Sequence, residues 1–521
     1  LNLRSVQLPP DSTPFAPSLL SDPWAADQLG GTWNDPRAHA RTIERFESRV
    51  YDRAELARRL RADQQRWHAD DAALAACDAF ADERTLCIVS GQQPGFLTGP
   101  LYTVFKIATT IALARRWTIQ LGRRVVPVFW IASDDHDLAE MESCSTVADD
   151  GALRRVRLPL GNQHTSVSRL ALPLEAEQRL QEFLTAANVS ELSPALRSAL
   201  APRPDDRFVD SFARLVTAFF PNTGLVLFEP RSFADLSRPF LRQHIEQPQL
   251  IPGALRSGAD ALRAHGRPVP LREDLPSCVF IVEHDRRRRF DPTSHSLDLV
   301  ESIARTDPSA ITPDAALRPL MQSALLPAPV FVGGPGELAY WLQLRPAFEA
   351  CAVPQPLFFP RLSASLLEPK VRKAFEALGS DAARALAPTP PSPPSADASK
   401  FDAASARILA AFEAFALELP ATNNVRRKVD DLRHAFTASV NKLTELAARE
   451  ADESASLAAK REALLRAHLR PSGVLQERAV NALPFAARYG DDLFARIAEQ
   501  IDPFDARHVF VDLVPSGASD A

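Results

Sequence analysis

Two mainly apolar runs, TLCIVS at 85–90 and VVPVFWIAS at 125–133, flank the helix-patterned stretch GPLYTVFKIATTIALARRW. A short apolar run bounded by turn residues reads as a strand buried on both faces. Gly91 ends the first run, and Asp134, Asp135, His136 and Asp137 follow the second. Thr98 or Gly99 caps the intervening helix, and Pro100 suits its first turn. Strand, helix and strand in about fifty residues make a βαβ unit, which requires a parallel sheet with a right-handed crossover. Further strand-like runs are GLVLFEP (224–230), CVFIVEH (278–284), PVFVGG (329–334) and PLFFPR (356–361). The pattern predicts an α/β fold with a doubly wound parallel core. Residues 150–215 and 235–300 are too long for simple crossovers and read as insertions.

The core occupies 86–385 in this reading. Residues 1–85, with Arg-rich amphipathic stretches, read as a helical part packed on it. LAPTPPSPPSADASK (386–400) reads as a proline-rich linker. Beyond it, Ile408, Phe412, Phe415 and Leu419 recur at helical spacing, as do Val425, Val429, Leu432, Phe436, Val440, Leu443 and Leu446. With the turn LPATNN between them, these predict an antiparallel coiled-coil hairpin over 401–470. Residues 471–521 read as a segment returning to the core, ending in the strand-like HVFVDLV.

Composition narrows the function. A net charge of -5 with 24% charged residues carries no basic stripe for nucleic acid. No apolar run reaches the roughly 18–20 residues needed to span a bilayer. The opening LNLRSVQLPPDSTPF lacks the basic-then-apolar pattern of a signal peptide. The five cysteines are widely spaced without a CxxC, which predicts free thiols in a reducing cytoplasm. Lys106 is the only lysine before Lys370, in a chain rich in arginine, which singles it out for chemistry.

Open parallel sheets bind ligands at the carboxyl ends of their strands, and four polar segments sit there. The first holds Ser90, Gly91, Gln92, Gln93, Thr98 and Gly99, where glycine lets backbone N–H groups approach a ligand and glutamine both donates and accepts. Lys106 reaches this loop if its stem runs back along the helix. The second is Asp134, Asp135, His136 and Asp137, suited to general-base work, a metal, an amine clamp or a helix cap. The third holds Gly333, Gly334, Gly336 and Glu337, followed by Tyr340 and Trp341, which either stack on a ligand or belong to the core. The fourth is Arg361, either a partner for phosphate or carboxylate or a surface arginine. No GxxxxGK[ST] occurs, which excludes a Walker loop.

The segments SGQQPGFLTGPLYTVFK, VPVFWIASDDHDLAEMES, LRPLMQSALLPAPVFVGGPGELAYWLQL and GVLQERAVNALPFAARYG, in that order, resemble the cysteine ligase family of bacillithiol biosynthesis across nearly the whole chain. Departures from that family's pattern are Pro94 in place of Ala, Asp134 in place of Glu and Phe105 in place of His. The resemblance implies a Rossmann-like core similar to nucleotidylyl transferases and class I aminoacyl-tRNA synthetases. It also implies inserted connecting subdomains and a coiled coil that forms a homodimer. The implied reaction joins the carboxyl group of cysteine to the amine of glucosaminyl malate. ATP or another nucleotide would activate the carboxyl group, with no metal beyond Mg accompanying it. In this reading the glycine turns hold phosphates, Lys106 or Arg361 offsets their charge, Asp135 or Asp137 holds the ammonium, and His136 takes its proton. The HxGH and KMSKS-type signatures of the synthetases are absent. The rival readings are a synthetase or nucleotidylyltransferase for another small molecule, and a non-catalytic coiled-coil scaffold.

Overall fold

A computed structural model describes residues 1–6, 15, 17–161, 164–378, 396–420, 422–453 and 457–514. The core sheet contains β2 (Leu86–Gln92), β3 (Val125–Ile131), β6 (Val226–Phe228), β10 (Val330–Gly333) and β11 (Leu357–Pro360). Their spatial order is β11-β10-β2-β3-β6, and every neighbouring pair is parallel. From β2 the chain adds β3 and β6 on one side and later β10 and β11 on the other, so the strand order reverses between β2 and β10, and this switch point is where such sheets open a crevice.

Alternation explains why the strand sequences carry almost no polar residue. Leu86 and Ile88 face one apolar cluster, while Cys87 and Val89 face another on the opposite side of the sheet. Helix Tyr102–Leu121 covers the first face. Helices Arg53–Arg66 and Asp71–Asp78 contribute Leu56, Leu60 and Ala76 to the other. With both faces covered, alternation of apolar and polar residues has no reason to appear.

Three smaller sheets surround the core. β1 (Asn2–Val6) pairs antiparallel with β13 (His508–Asp512), which runs parallel to β12 (Ser363–Leu367). The first 85 residues thus begin with a strand, and the tail is pinned beside the end of the core. β4 (Ser143–Val147) and β5 (Leu153–Arg157) form a hairpin after β3. β7 (Val279–Glu283) pairs with β8 (Arg286–Arg289) and β9 (Ile311–Pro313), both antiparallel. The run at 278–284 accordingly belongs to an inserted antiparallel sheet and not to the core; β8 follows β7 through the two-residue turn at His284 and Asp285, both at positive φ, and β9 arrives after the helix Leu297–Thr306.

Beyond the core, helices Ala396–Leu417 and Asn423–Glu453 form the hairpin, and Leu457–Leu469 leads back from it. Residues 386–395 of the proline-rich stretch lie outside the described residues, and 396–400 are already helical. No proline follows Pro394 before Pro420, so nothing in that stretch removes a helical N–H.

Candidate active site

The C-terminal ends of β2, β3 and β10 open onto one cleft of about 350 Å³, straddling the switch point. Lys106 lies near the start of helix Tyr102–Leu121, and its side chain runs back to the end of β2, the direction helical side chains lean. Its ammonium donates to Gly91 O at 2.8 Å, Gln92 Oε1 at 2.7 Å and Glu337 Oε1 at 2.7 Å. An ammonium has three donors, so all three are used within the protein. Burial pulls the Lys106 pKa below the ordinary lysine value, against the opposing charge of Glu337.

The two glutamines extend this contact across the sheet. Gln92 Nε2 donates to Gln93 Oε1 at 3.1 Å, and Gln93 Nε2 donates to Asp135 Oδ2 at 3.0 Å. The result is one chain of hydrogen bonds, Glu337–Lys106–Gln92–Gln93–Asp135, joining the loops after β10, β2 and β3. Each amide accepts on the cationic side and donates on the anionic side, so the bonds polarise one another in the same sense. Only a side chain that carries both an acceptor and a donor serves both links, which is the physical reason for glutamine here.

Glu337 also accepts from Gly334 N at 2.6 Å, capping its own short helix Pro335–Trp341. A carboxylate of the protein therefore occupies the place where the sequence reading put a ligand phosphate. Gly333 is glycine for packing, because a Cβ there would lie 2.5 Å from the Phe358 ring. Gly336 has open space around it, and Gly334, Gly336 and Tyr340 line the cleft.

Asp135 sits between opposing influences. Burial pushes its carboxyl up, but Arg318, Arg287, the His136 N–H and Gln93 outweigh that and hold it below the usual range. Asp134 is buried behind it, and burial pushes its carboxyl up to about 6, partly countered by Arg287. Asp137 is exposed and lies outside the cleft lining. His136 Nδ1 lies 2.8 Å from Arg287 Nη1. A guanidinium only donates, so Nδ1 is the acceptor and the ring proton resides on Nε2. Burial and Arg287 both lower the His136 pKa, leaving a neutral imidazole that presents a donor and no free base.

Several other expected ligand-binding residues are structural. Trp341 is fully buried and stacks on Phe331 at 4.6 Å, in the core rather than the cleft. Ser90 and Thr98 are fully buried, and neither hydroxyl has a partner. Leu97, Thr98 and Gly99 all have positive φ, of 51°, 77° and 67°. The strained pair of non-glycine residues is held by Asn481, whose Nδ2 donates to Leu97 O and Gly99 O at 2.7 Å each. Arg361 reaches the cleft lining but is committed to Glu477 at 2.7 Å, with both side chains almost fully buried. Phe105 packs in the apolar core beside Lys106.

The sequence reading missed Tyr102, Glu140, Arg318 and Arg478, all of which line the cleft. Burial and the nearby Asp137 and Asp135 push the Glu140 carboxyl up. Arg478 comes from Gln476–Ala479, in the tail, so the C-terminal segment completes the cleft. The stretch GVLQERAVNALPF supplied a signal for it, since it places Glu477, Arg478 and Asn481 within five residues. Among the described residues, no group of three or more His, Cys, Asp or Glu side chains has metal-binding geometry.

Two family models match the chain. Residues 26–362 match the Bacillithiol biosynthesis BshC N-terminal Rossmann-like domain, and 396–513 match the BshC C-terminal coiled-coil domain. A protein of Geobacillus thermodenitrificans named "Putative cysteine ligase BshC" is 30% identical, over 98% of this chain and 100% of its own length. Proteins with the same name from Salinibacter ruber and Symbiobacterium thermophilum are each 30% identical, covering 90% and 86% of this chain and 90% and 88% of their own.

Proposed function

This chain belongs to the BshC family of bacillithiol biosynthesis, and from that premise we propose that it is a ligase joining the carboxyl group of cysteine to the amine of glucosaminyl malate. The observation that supports this best is the convergence of three strand-end loops on one cleft, tied together by the Glu337–Lys106–Gln92–Gln93–Asp135 chain.

Amide formation from a free carboxylate is uphill. ATP or another nucleotide, with its Mg, supplies the activation of that carboxyl when bound. Arg478 lines the cleft outside the Arg361–Glu477 pair and is the guanidinium placed to meet a polyphosphate or a developing oxyanion. Asp135, ionised, holds the incoming ammonium. The amine sheds one proton to become a nucleophile and a second as the C–N bond forms and the acyl C–O bond to the activating phosphate would break, that phosphate or nucleotide leaving with the bonding electron pair. Glu140, with its raised carboxyl pKa, is the base at the cleft for these protons. His136 donates through Nε2 and orients substrate rather than accepting the proton. Lys106 holds the loops in register.

Incubating the protein with ATP, cysteine and glucosaminyl malate tests this reading. The expected product is the amide conjugate by mass, with loss of turnover in Asp135→Asn. Absence of the conjugate under all nucleotide conditions, together with unchanged thiol profiles in a deletion strain, refutes it.

Two copies would pair through the hairpin. Ile408, Phe415, Leu417, Leu432, Leu443 and Leu446 are all exposed on it, more apolar surface than an isolated helical hairpin has reason to show. Light scattering should give twice the chain mass, falling to the monomer in Leu432→Glu/Leu443→Glu. The five cysteines are unpaired, which suits a reducing cytoplasm.

A further inference from the structure

A second cavity, of about 370 Å³, adjoins the cleft and shares Asp135 and Arg318 with it. Its floor comes from β8, a run of four arginines. Side chains alternate along a strand, so Arg287 and Arg289 turn inward while Arg286 and Arg288 face out. The two inward guanidinium carbons lie over the Phe280 ring at 3.8 and 4.4 Å. Arg287 is fixed by Thr312 Oγ1, Pro313 O and His136 Nδ1. Burial pulls its pKa down to about 10, which leaves it charged at neutral pH. Arg289 donates to Asp314 Oδ2 and Ser277 O. At the rim, Arg272 pairs with Asp274.

Arg318 differs from these three. Its Nε is buried without a hydrogen-bond partner, and its nearest carboxylate oxygen, Asp135 Oδ2, is 4.0 Å away. Four guanidiniums thus share a cavity lined by two carboxylates, Asp135 and Asp314, against a wall of Leu255, Leu271 and Leu275. A buried cationic donor left unmatched beside apolar surface is costly unless an anion completes it. The apolar wall suits an anion that carries a carbon chain, and guanidiniums from both β8 and the helix Leu317–Leu325 suit two anionic groups rather than one.

We propose that this arginine cavity is a dicarboxylate site, which takes the two carboxylates of the acceptor substrate while its amine reaches Asp135. The assignment of the amine rests on the ligase reading; the dicarboxylate site itself does not. One molecule would then span both cavities, with its cationic end at Asp135 and its dianionic end at Arg318 and Arg287.

Titration calorimetry of the full chain with L-malate as the probe tests the site without turnover. L-malate should bind, succinate should compete, and L-lactate, with one carboxylate, should be weaker. Arg318→Gln should weaken L-malate by about 10- to 100-fold, the loss of one charge-assisted contact. Arg272→Gln, already paired at the rim, should change it by less than about threefold. Equal loss of folding cooperativity in both variants would be visible in the same samples by thermal unfolding, and Arg318→Lys then supplies a charge-retaining comparison expected to recover part of the affinity. Inorganic phosphate that binds more tightly than L-malate, and is itself lost in Arg318→Gln, would reassign the cavity to a phosphate. L-malate affinity unchanged by Arg318→Gln would overturn the proposal. If conjugate forms and Arg318→Gln leaves the KM for the acceptor unchanged, the dicarboxylate site fails and the ligase reading stands. If L-malate binds through Arg318 and no conjugate forms, the reverse holds.

Discussion

The cleft and the arginine cavity share a wall yet treat their charges differently. In the cleft, Lys106 and Arg361 are cations with short protein partners, Glu337 and Glu477. On the wall that the two share, Arg318 keeps an unmatched buried Nε. A buried cation whose partners all come from the same chain acts as architecture, because the interaction is complete before any ligand arrives. A buried donor without a short partner that also lines a cavity is open to a ligand, which sets Arg318 apart from Ser90 and Thr98, lining neither cavity. The single lysine that stands out in the sequence falls in the first class, and an arginine in an unremarkable helix falls in the second.

The largest expected effect tests the architectural class. Glu477→Gln leaves Arg361 buried without its counter-charge, and breaking such a pair costs about 3–5 kcal/mol. Urea unfolding should show the midpoint fall with little change in slope. A loss under about 1 kcal/mol would mean that the pair is not integral to the fold.

Lys106→Met comes next, at about 2–3 kcal/mol, because Glu337 retains 19% side-chain exposure and water can reach it. The double variant Lys106→Met/Glu337→Leu should recover most of that stability, while ligase turnover stays lost because the three loops are no longer tied together. Stability unrecovered in the double variant would break the argument that the pair, rather than either residue, matters.

Asp134 provides a pH test of the boundary between the two cavities. Its carboxyl, ordinarily at 3.8, is raised to about 6 in the folded protein. Between about pH 4 and 6 the folded state therefore binds more protons than the unfolded chain, and stability falls as pH rises through that window. The contribution is at most about 3 kcal/mol. Asp134→Asn removes this fall, so its stability relative to the parent should grow from pH 4 to 6 and level off above. A constant difference at every pH would show that Asp134 is not held in that state.

Smallest in stability is Arg318→Gln, expected within about 0.5 kcal/mol because it breaks no short contact. Paired with the binding loss expected for the same variant, it sharpens the distinction: a large change in ligand affinity with almost none in folding.

The strands β2, β3, β6, β10 and β11 were legible because burial on both faces leaves uninterrupted apolar runs. The run at 278–284 carries the same signal, yet it pairs with β8 and β9, since local composition does not name a strand's partner. The helical hairpin was legible from period alone, but its start was not, because a proline-rich stretch marks where a helix cannot be and not where the next one begins. Gln92, Gln93 and Asp135 were legible as cleft residues from their position after strands, and Lys106 from the scarcity of lysine. Arg318 and Arg478 were not, because neither follows a core strand directly. The alternation of Arg287 and Arg289 was present in the run of four arginines, although nothing local says that its inward face meets a cavity.

What the sequence by itself determined is the list of buried strands, their loops and the residue types at their ends, since these follow from periodicity and backbone stereochemistry within a few residues. Tertiary structure decided which charges are matched. That depends on residues more than two hundred positions apart, such as Lys106 and Glu337, arriving within hydrogen-bond distance, and electrostatic pairing depends on that distance and on burial, neither of which is written along the chain.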